Sequence, residues 1–164
     1  SGFAWDALAD TADAVGVKLY TMHWPMMARY WARDLLGANA GPQLDAVTAA
    51  MADFLGLCDA PADGASLHYP PPAMAHPVGA QRQRDKLAQA QAQAGKTPVV
   101  AYAHSYGPLD DVVARCELAL QSCLQAGGSG RVWINRYGYL SDAKLAALTP
   151  VFARARSAAA QAAA

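Results

Sequence analysis

The stretch Thr97-Pro98-Val99-Val100-Ala101-Tyr102-Ala103-His104 decides the fold class. It is apolar almost throughout and shows no polar alternation, as expected of a strand buried on both faces of a parallel sheet. Gly107-Pro108 breaks it. Leu109, Val112, Val113, Cys116, Leu120, Cys123 and Leu124 then recur at helical spacing, which predicts a helix over 109–126. Asp110 and Asp111 fall in its first turn, where negative charge suits the helix dipole. Gly127-Gly128-Ser129-Gly130 ends the helix, and residues 131–135 (RVWIN) follow as the next strand. Strand, helix and strand in this order form a β–α–β unit, whose crossover goes with parallel pairing.

The alternation extends toward the N-terminus. Residues 80–94 read as a Gln/Ala/Arg helix with little apolar face, stopped by Gly95. Residues 66–69 read as a short strand ended by Pro70-Pro71-Pro72, since proline cannot donate to a ladder. Leu44, Val47, Met51, Phe54 and Leu55 predict a helix over 43–56, and Met27, Tyr30, Trp31 and Leu35 another over 26–36, closed by Gly37. Residues 17–23 (VKLYTMH) have strand composition and close at Trp24-Pro25, after a short helix over 3–15 that Gly16 ends. On the C-terminal side, Ser141 caps a helix to about Leu148, and an Ala-rich helix starts at Pro150.

The expectation is one α/β domain over residues 1–164, an initial helix followed by four parallel strand–helix units. The strand ends lie roughly 30–45 residues apart, a length that fits β–α–β crossovers. Two architectures accommodate this: half of a (β/α)8 barrel, or a small open doubly wound sheet. The 164 residues fall well short of the roughly 250 that a complete barrel needs.

Thirteen basic and thirteen acidic side chains balance, which argues against a nucleic-acid binder that relies on phosphate contacts. Arg82, Arg84 and Lys86 read as a solvated helix face. No apolar run is long enough for a membrane span. Ser1-Gly2 opens the chain without a signal-peptide pattern or an initiator Met, which is expected of a processed or excised piece and leaves native export open. Charged residues make up 16% of the chain against about a quarter in typical domains, so part of the surface is expected to contact a second copy or the rest of a parent barrel. Cys58, Cys116 and Cys123 have no zinc-knuckle spacing, and Cys116 and Cys123 suit core positions as small hydrophobes.

In parallel α/β proteins ligands bind at the carboxyl ends of the strands. Those ends carry His23-Trp24, His68-Tyr69, His104-Ser105-Tyr106 and Asn135-Arg136-Tyr137. Three of the four histidines end a predicted strand, and the fourth, His76, lies in the following loop. Three chemistries compete. The expectation is that no cofactor is used; the alternative is a divalent metal such as zinc held by His23, His68 and His104, with water in the fourth position. Trp24, Tyr69, Tyr106 and Tyr137 could cover the apolar faces of a sugar, with His68, Asn135 and Arg136 reaching its hydroxyls. Acid–base chemistry would fall to His104. Ser105 is a weak partner for it, since adjacent strand residues point to opposite faces. Ser141-Asp142-Ala143-Lys144 matches S-x-x-K in form, but Ser141 as a helix cap explains it better. The glycine-rich 127–130 loop precedes a strand, whereas a phosphate cradle follows one.

The segments 99–107 and 132–140, with polar and aromatic residues at each strand end, are similar to the last two strands of glycoside-hydrolase-like barrels. The chain resembles the C-terminal half of such a (β/α)8 barrel. The resemblance implies a polysaccharide or small polar ligand in a strand-end cleft. His104, Asn135 and Arg136 would act on it, and Trp24, His68, Tyr69, Tyr106 and Tyr137 would hold it. The chain departs from the family pattern where cleavage is decided, because no strand end carries the carboxylic pair that glycoside hydrolysis needs. Twelve of the thirteen acids are Asp, and the single glutamate, Glu117, sits mid-helix. A non-catalytic α/β binding or interaction module is the alternative, and a His-ligated metal hydrolase the third reading.

Overall fold

The computed structural model describes residues 5–126 and 130–162. Three strands, β1 (Val15–Lys18), β2 (Val99–His104) and β3 (Val132–Asn135), form one open parallel sheet in chain order. Val15 pairs with Val99 and Lys18 with Tyr102, while Ala101 pairs with Val132 and His104 with Asn135. The helices are α1 (Leu8–Thr11), α2 (His23–Leu36), α3 (Leu44–Phe54), α4 (Ala80–Ala94), α5 (Leu109–Gln125) and α6 (Asp142–Ala162). Among the described residues no helix is long and apolar enough to cross a membrane.

The core lies between the sheet and α4, α5 and α6. Leu87, Ala90 and Ala94 of α4 and Ala119 and Cys123 of α5 pack on Val99 and Ala101, joined by Val15, Val17 and Val132. Val112, Cys116 and Leu120 meet Leu148 and Val151 of α6 beside Ile134. Both helical cysteines are thus buried hydrophobes. The weak apolar face of α4 is explained by two buried glutamines. Gln91 Nε2 donates to the carbonyls of Gly95 (2.9 Å) and Thr97 (3.1 Å), and its Oε1 accepts from Val99 N–H (2.9 Å). That amide ties the helix to the start of β2, so its burial carries no unpaired polar atom.

Three strands replace the four expected. Residues 66–69 are not a strand, because a 3-10 turn occupies Gly64–Ser66 and Leu67 is buried among Ala28, Ala52 and Leu57 between α2 and α3. The turn lies backbone on backbone against α3: a Cβ on Gly64 would come 1.7 Å from the Asp45 carbonyl oxygen. β1 ends at Lys18, and His23-Trp24-Pro25 forms the first turn of α2 rather than a strand terminus. Proline fits there because the first-turn amides have no intrahelical acceptor. The initial helix shrinks to the 3-10 turn Trp5–Ala7 and α1, Gly16 sits inside β1, and Phe3 and Ala4 lie outside the described residues. The two C-terminal helices are one, α6, which runs through Pro150; Lys144 N–H donates to Ser141 Oγ at 3.4 Å, as a cap. Residues 127–129 of the glycine-rich loop lie outside the described residues.

The doubly wound alternative calls for helices on both faces; here β2 is buried on both faces except at Tyr102, whereas the flanking strands β1 and β3 are covered on one. Val15, Val17, Val132 and Ile134 turn toward α4, α5 and α6, while Gly16, Lys18, Trp133 and Asn135 are exposed and Tyr102 is half-buried. Parallel sheets usually carry cover on both sides. Tyr102 lies over Gly16, where a Cβ would come 2.5 Å from the ring carbon Cζ. Trp133, 66% exposed, stacks on Tyr102 with ring centroids 5.5 Å apart and planes at 26°.

Candidate functional site

The carboxyl ends of the strands converge with the segment 69–78, which crosses over them. The result has a buried inner layer and an open outer one.

Thr21 is the centre of the inner layer and is fully buried. Its Oγ1 lies 2.8 Å from His76 Nδ1 and 3.0 Å from His104 Nε2, and the two imidazoles stack 4.9 Å apart at 24°. A hydroxyl has one proton to give, so it serves both rings when one offers N–H and the other a lone pair, which two neutral imidazoles do. Burial pushes His76 down to about 4, against the pull of the Asp111 carboxylate 3.9 Å away and with a smaller push from Arg115. Burial, the neighbouring His76 and the Arg115 cation push His104 down to about 3. Arg115 clips the crossing segment in place: it donates to Asp111 (2.9 Å) and to the carbonyls of His76 (2.7 Å) and Val78 (3.1 Å). Tyr106 is buried, and its hydroxyl donates to the Pro70 carbonyl at 2.7 Å. Ser105 N–H donates to the Asn135 carbonyl (3.1 Å) and its Oγ to the Arg136 carbonyl (2.5 Å), and Lys144 Nζ donates to Ser105 O (2.7 Å) and Tyr139 O (3.0 Å). The S-x-x-K serine is therefore a cap and its lysine a brace on the backbone.

The outer layer gathers around Arg136, whose backbone is left-handed (φ 66°, ψ 56°). One guanidinium nitrogen lies 3.0 Å from His23 Nε2, and another donates to the Tyr69 hydroxyl at 3.4 Å. A guanidinium only donates, so His23 Nε2 must present its lone pair. Burial, and then the Arg136 cation, hold His23 below its ordinary range. Asn135 Nδ2 donates to the Tyr20 hydroxyl, and Asn135 Oδ1 accepts Arg136 N–H at 2.6 Å. The rings of Tyr20 and His23, and of His23 and Tyr69, follow one another 5.8 and 5.7 Å apart. Beside them a concavity of about 420 Å³ opens on the uncovered sheet face, lined by Lys18, Tyr20, Tyr102, Trp133, Ile134 and Asn135.

Of the residues expected at the site, His23, Tyr69, Asn135 and Arg136 meet in the outer layer. His104 and Tyr106 lie in the inner one, buried beneath the crossing segment. Trp24 packs against the core with Lys86 Nζ 5.6 Å from its ring centre, while His68 and Tyr137 are exposed. The three histidines suggested as metal ligands do not converge. His23 Nε2 faces a guanidinium, His104 Nε2 faces Thr21, and no group of three His, Cys, Asp or Glu among the described residues is arranged to hold a metal. Tyr20, Tyr102 and Trp133 were not among the expected site residues. Tyr102 and Trp133 were legible, since each stands two places before a strand-end polar residue and so shares its face. Compared with protein-family models, with curated proteins and with solved structures, the chain matches none.

Proposed function

We propose that the chain binds a carbohydrate along the open sheet face and the adjoining strand ends, without carrying the groups to cleave it. The observation behind this is the exposed Trp133 ring stacked on Tyr102 at the floor of the concavity. A pyranose has an apolar C–H face and a rim of hydroxyls. An aromatic plane flanked by Lys18, the Tyr20 hydroxyl and Asn135 suits both, in the usual pattern of a largely apolar pocket with a few polar groups. Cleavage would need two carboxyl groups at the scissile bond, and no Asp or Glu lines the concavity.

A second reading makes the open face a contact surface for another copy of the chain or for further barrel strands. It is favoured by the winding of the sheet, because strands in chain order with helices on one side are arranged like consecutive units of a (β/α)8 barrel. Calorimetric titration with a panel of oligosaccharides, on the wild type and on Trp133→Ala, separates the two. Trp133 is exposed, so its removal leaves the core intact. Binding weakened tenfold or more in the variant supports the sugar site at about 1.4 kcal/mol or above; no binding to any member, or equal binding by both proteins, overturns it. A concentration-dependent dimer that Trp133→Ala abolishes, seen by light scattering, supports the second reading.

A further inference from the structure

Resting on the carbohydrate reading, we infer that the sugar bears a uronic acid carboxylate and that Arg136 receives it. Arg136 is the one non-glycine residue with positive φ among the described residues. Strained backbone of this kind gathers at functional sites, where the surroundings over-determine it. Here the surroundings do so: Ser105 holds the Asn135 carbonyl through its N–H and the Arg136 carbonyl through its Oγ, Asn135 Oδ1 holds the Arg136 N–H, and Lys144 braces Ser105 in turn.

The guanidinium fixed by this scaffold meets no negative charge. Its contacts are the His23 ring and the Tyr69 hydroxyl, and it forms no ion pair among the described residues. Lys18 lines the neighbouring concavity, which Arg136 adjoins through Asn135 and which has no acid among its lining residues. A neutral ligand would leave this charge uncompensated. A carboxylate can take two parallel N–H donors from a guanidinium, the strongest pairing available to either group. Seated against Arg136, a uronate would place the rest of its ring toward Asn135, Tyr20 and the Trp133 platform.

The test uses oligomers of galacturonate, glucuronate and mannuronate, each beside its carboxyl-reduced form, titrated calorimetrically into the wild type, Arg136→Gln and Trp133→Ala. The expected result is that at least one acidic oligomer binds about tenfold or more tightly than its reduced form, as a charged hydrogen bond allows. Arg136→Gln should bring the ratio of the two affinities down to about one, whatever it does to binding of the reduced form. Equal affinity for the two forms, or a preference that survives in Arg136→Gln, overturns the inference. If reduced oligomers still bind through Trp133, the carbohydrate reading stands and the uronate inference alone falls. If no oligomer of either form binds, both fall.

Discussion

Lowering the pH from about 7.5 to about 5 should cost the folded chain about 4 kcal/mol, because two histidines fold in their neutral form. His76 and His104 share one buried hydroxyl, and their values fall to about 4 and about 3. In the unfolded chain both titrate near 6.5. With the folded values depressed, the unfolded state takes up protons that the folded state refuses as pH drops through 6.5. Stability is therefore complete above about pH 7.5 and declines until the pH reaches the folded values. Each histidine contributes a slope of about 1.4 kcal/mol per pH unit once its unfolded form is protonated, and about 2 kcal/mol over the whole interval. Aspartates in the unfolded chain titrate near 3.9 and remain largely ionised above pH 5. A loss of about 4 kcal/mol is a large part of the 5–15 kcal/mol typical of a domain. Urea denaturation midpoints between pH 7.5 and 5 measure it. His104→Gln, which keeps a polar partner for Thr21, should remove roughly half the slope whatever it does to the stability at pH 7.5. A flat profile in the wild type, or an unchanged slope in His104→Gln, would refute the neutral pair.

Gly64→Ala should lower stability by roughly 1–3 kcal/mol in thermal melts, because its Cβ meets the backbone of α3, which cannot move aside. Gly16→Ala meets only the outer end of the Tyr102 ring, so its melting temperature should stay near the wild type while oligosaccharide affinity drops as the ring stack is displaced. Arg136→Gly should abolish any preference for acidic sugars while leaving the melting temperature near the wild type, because relief of the left-handed backbone, about 0.5–1 kcal/mol, offsets loss of the bonds to His23 and Tyr69. The Cys116 thiol, pushed up to about 12 chiefly by burial, should resist a thiol reagent at about pH 8 in the native protein and react on unfolding in urea.

Where local pattern and tertiary use agreed, the elements were legible. α5, β2 and β3 carry clear apolar patterns, and α4, with little apolar face, is still marked by its Ala/Gln composition and the Gly95 stop. Residues 66–69 misled because Leu67, a good strand residue, is claimed by the small-residue cluster between α2 and α3, a contact between elements distant in the chain. Trp24-Pro25 misled because proline punctuates both a strand end and a helix start, and only the position of Pro25 within the first turn of α2 distinguishes them. At the site, Asn135 and Arg136 were readable as strand-end residues. Nothing in the residue order could show that His104 and Tyr106 lie under the crossing segment, since that depends on the Arg115 and Pro70 contacts, which bridge 39 and 36 positions.

The connectivity of the sheet also imposes an order of assembly. Ser105 and Asn135, joining the ends of β2 and β3, are 30 positions apart, whereas Thr21 and His104, joining the ends of β1 and β2, are 83 apart. Closing a longer loop costs more entropy before any contact repays it, and such pairings form slowly. The β2–α5–β3 half is therefore expected to nucleate the sheet, with β1 docking afterwards; φ-values near zero in β1 would bear this out. Until that step the inner edge of β2 is an unpaired strand in the middle of the sheet, open to a neighbouring chain. The Thr21 hydroxyl that links the two histidines arrives only with β1, so the neutral imidazole pair is complete only when the last strand is in place.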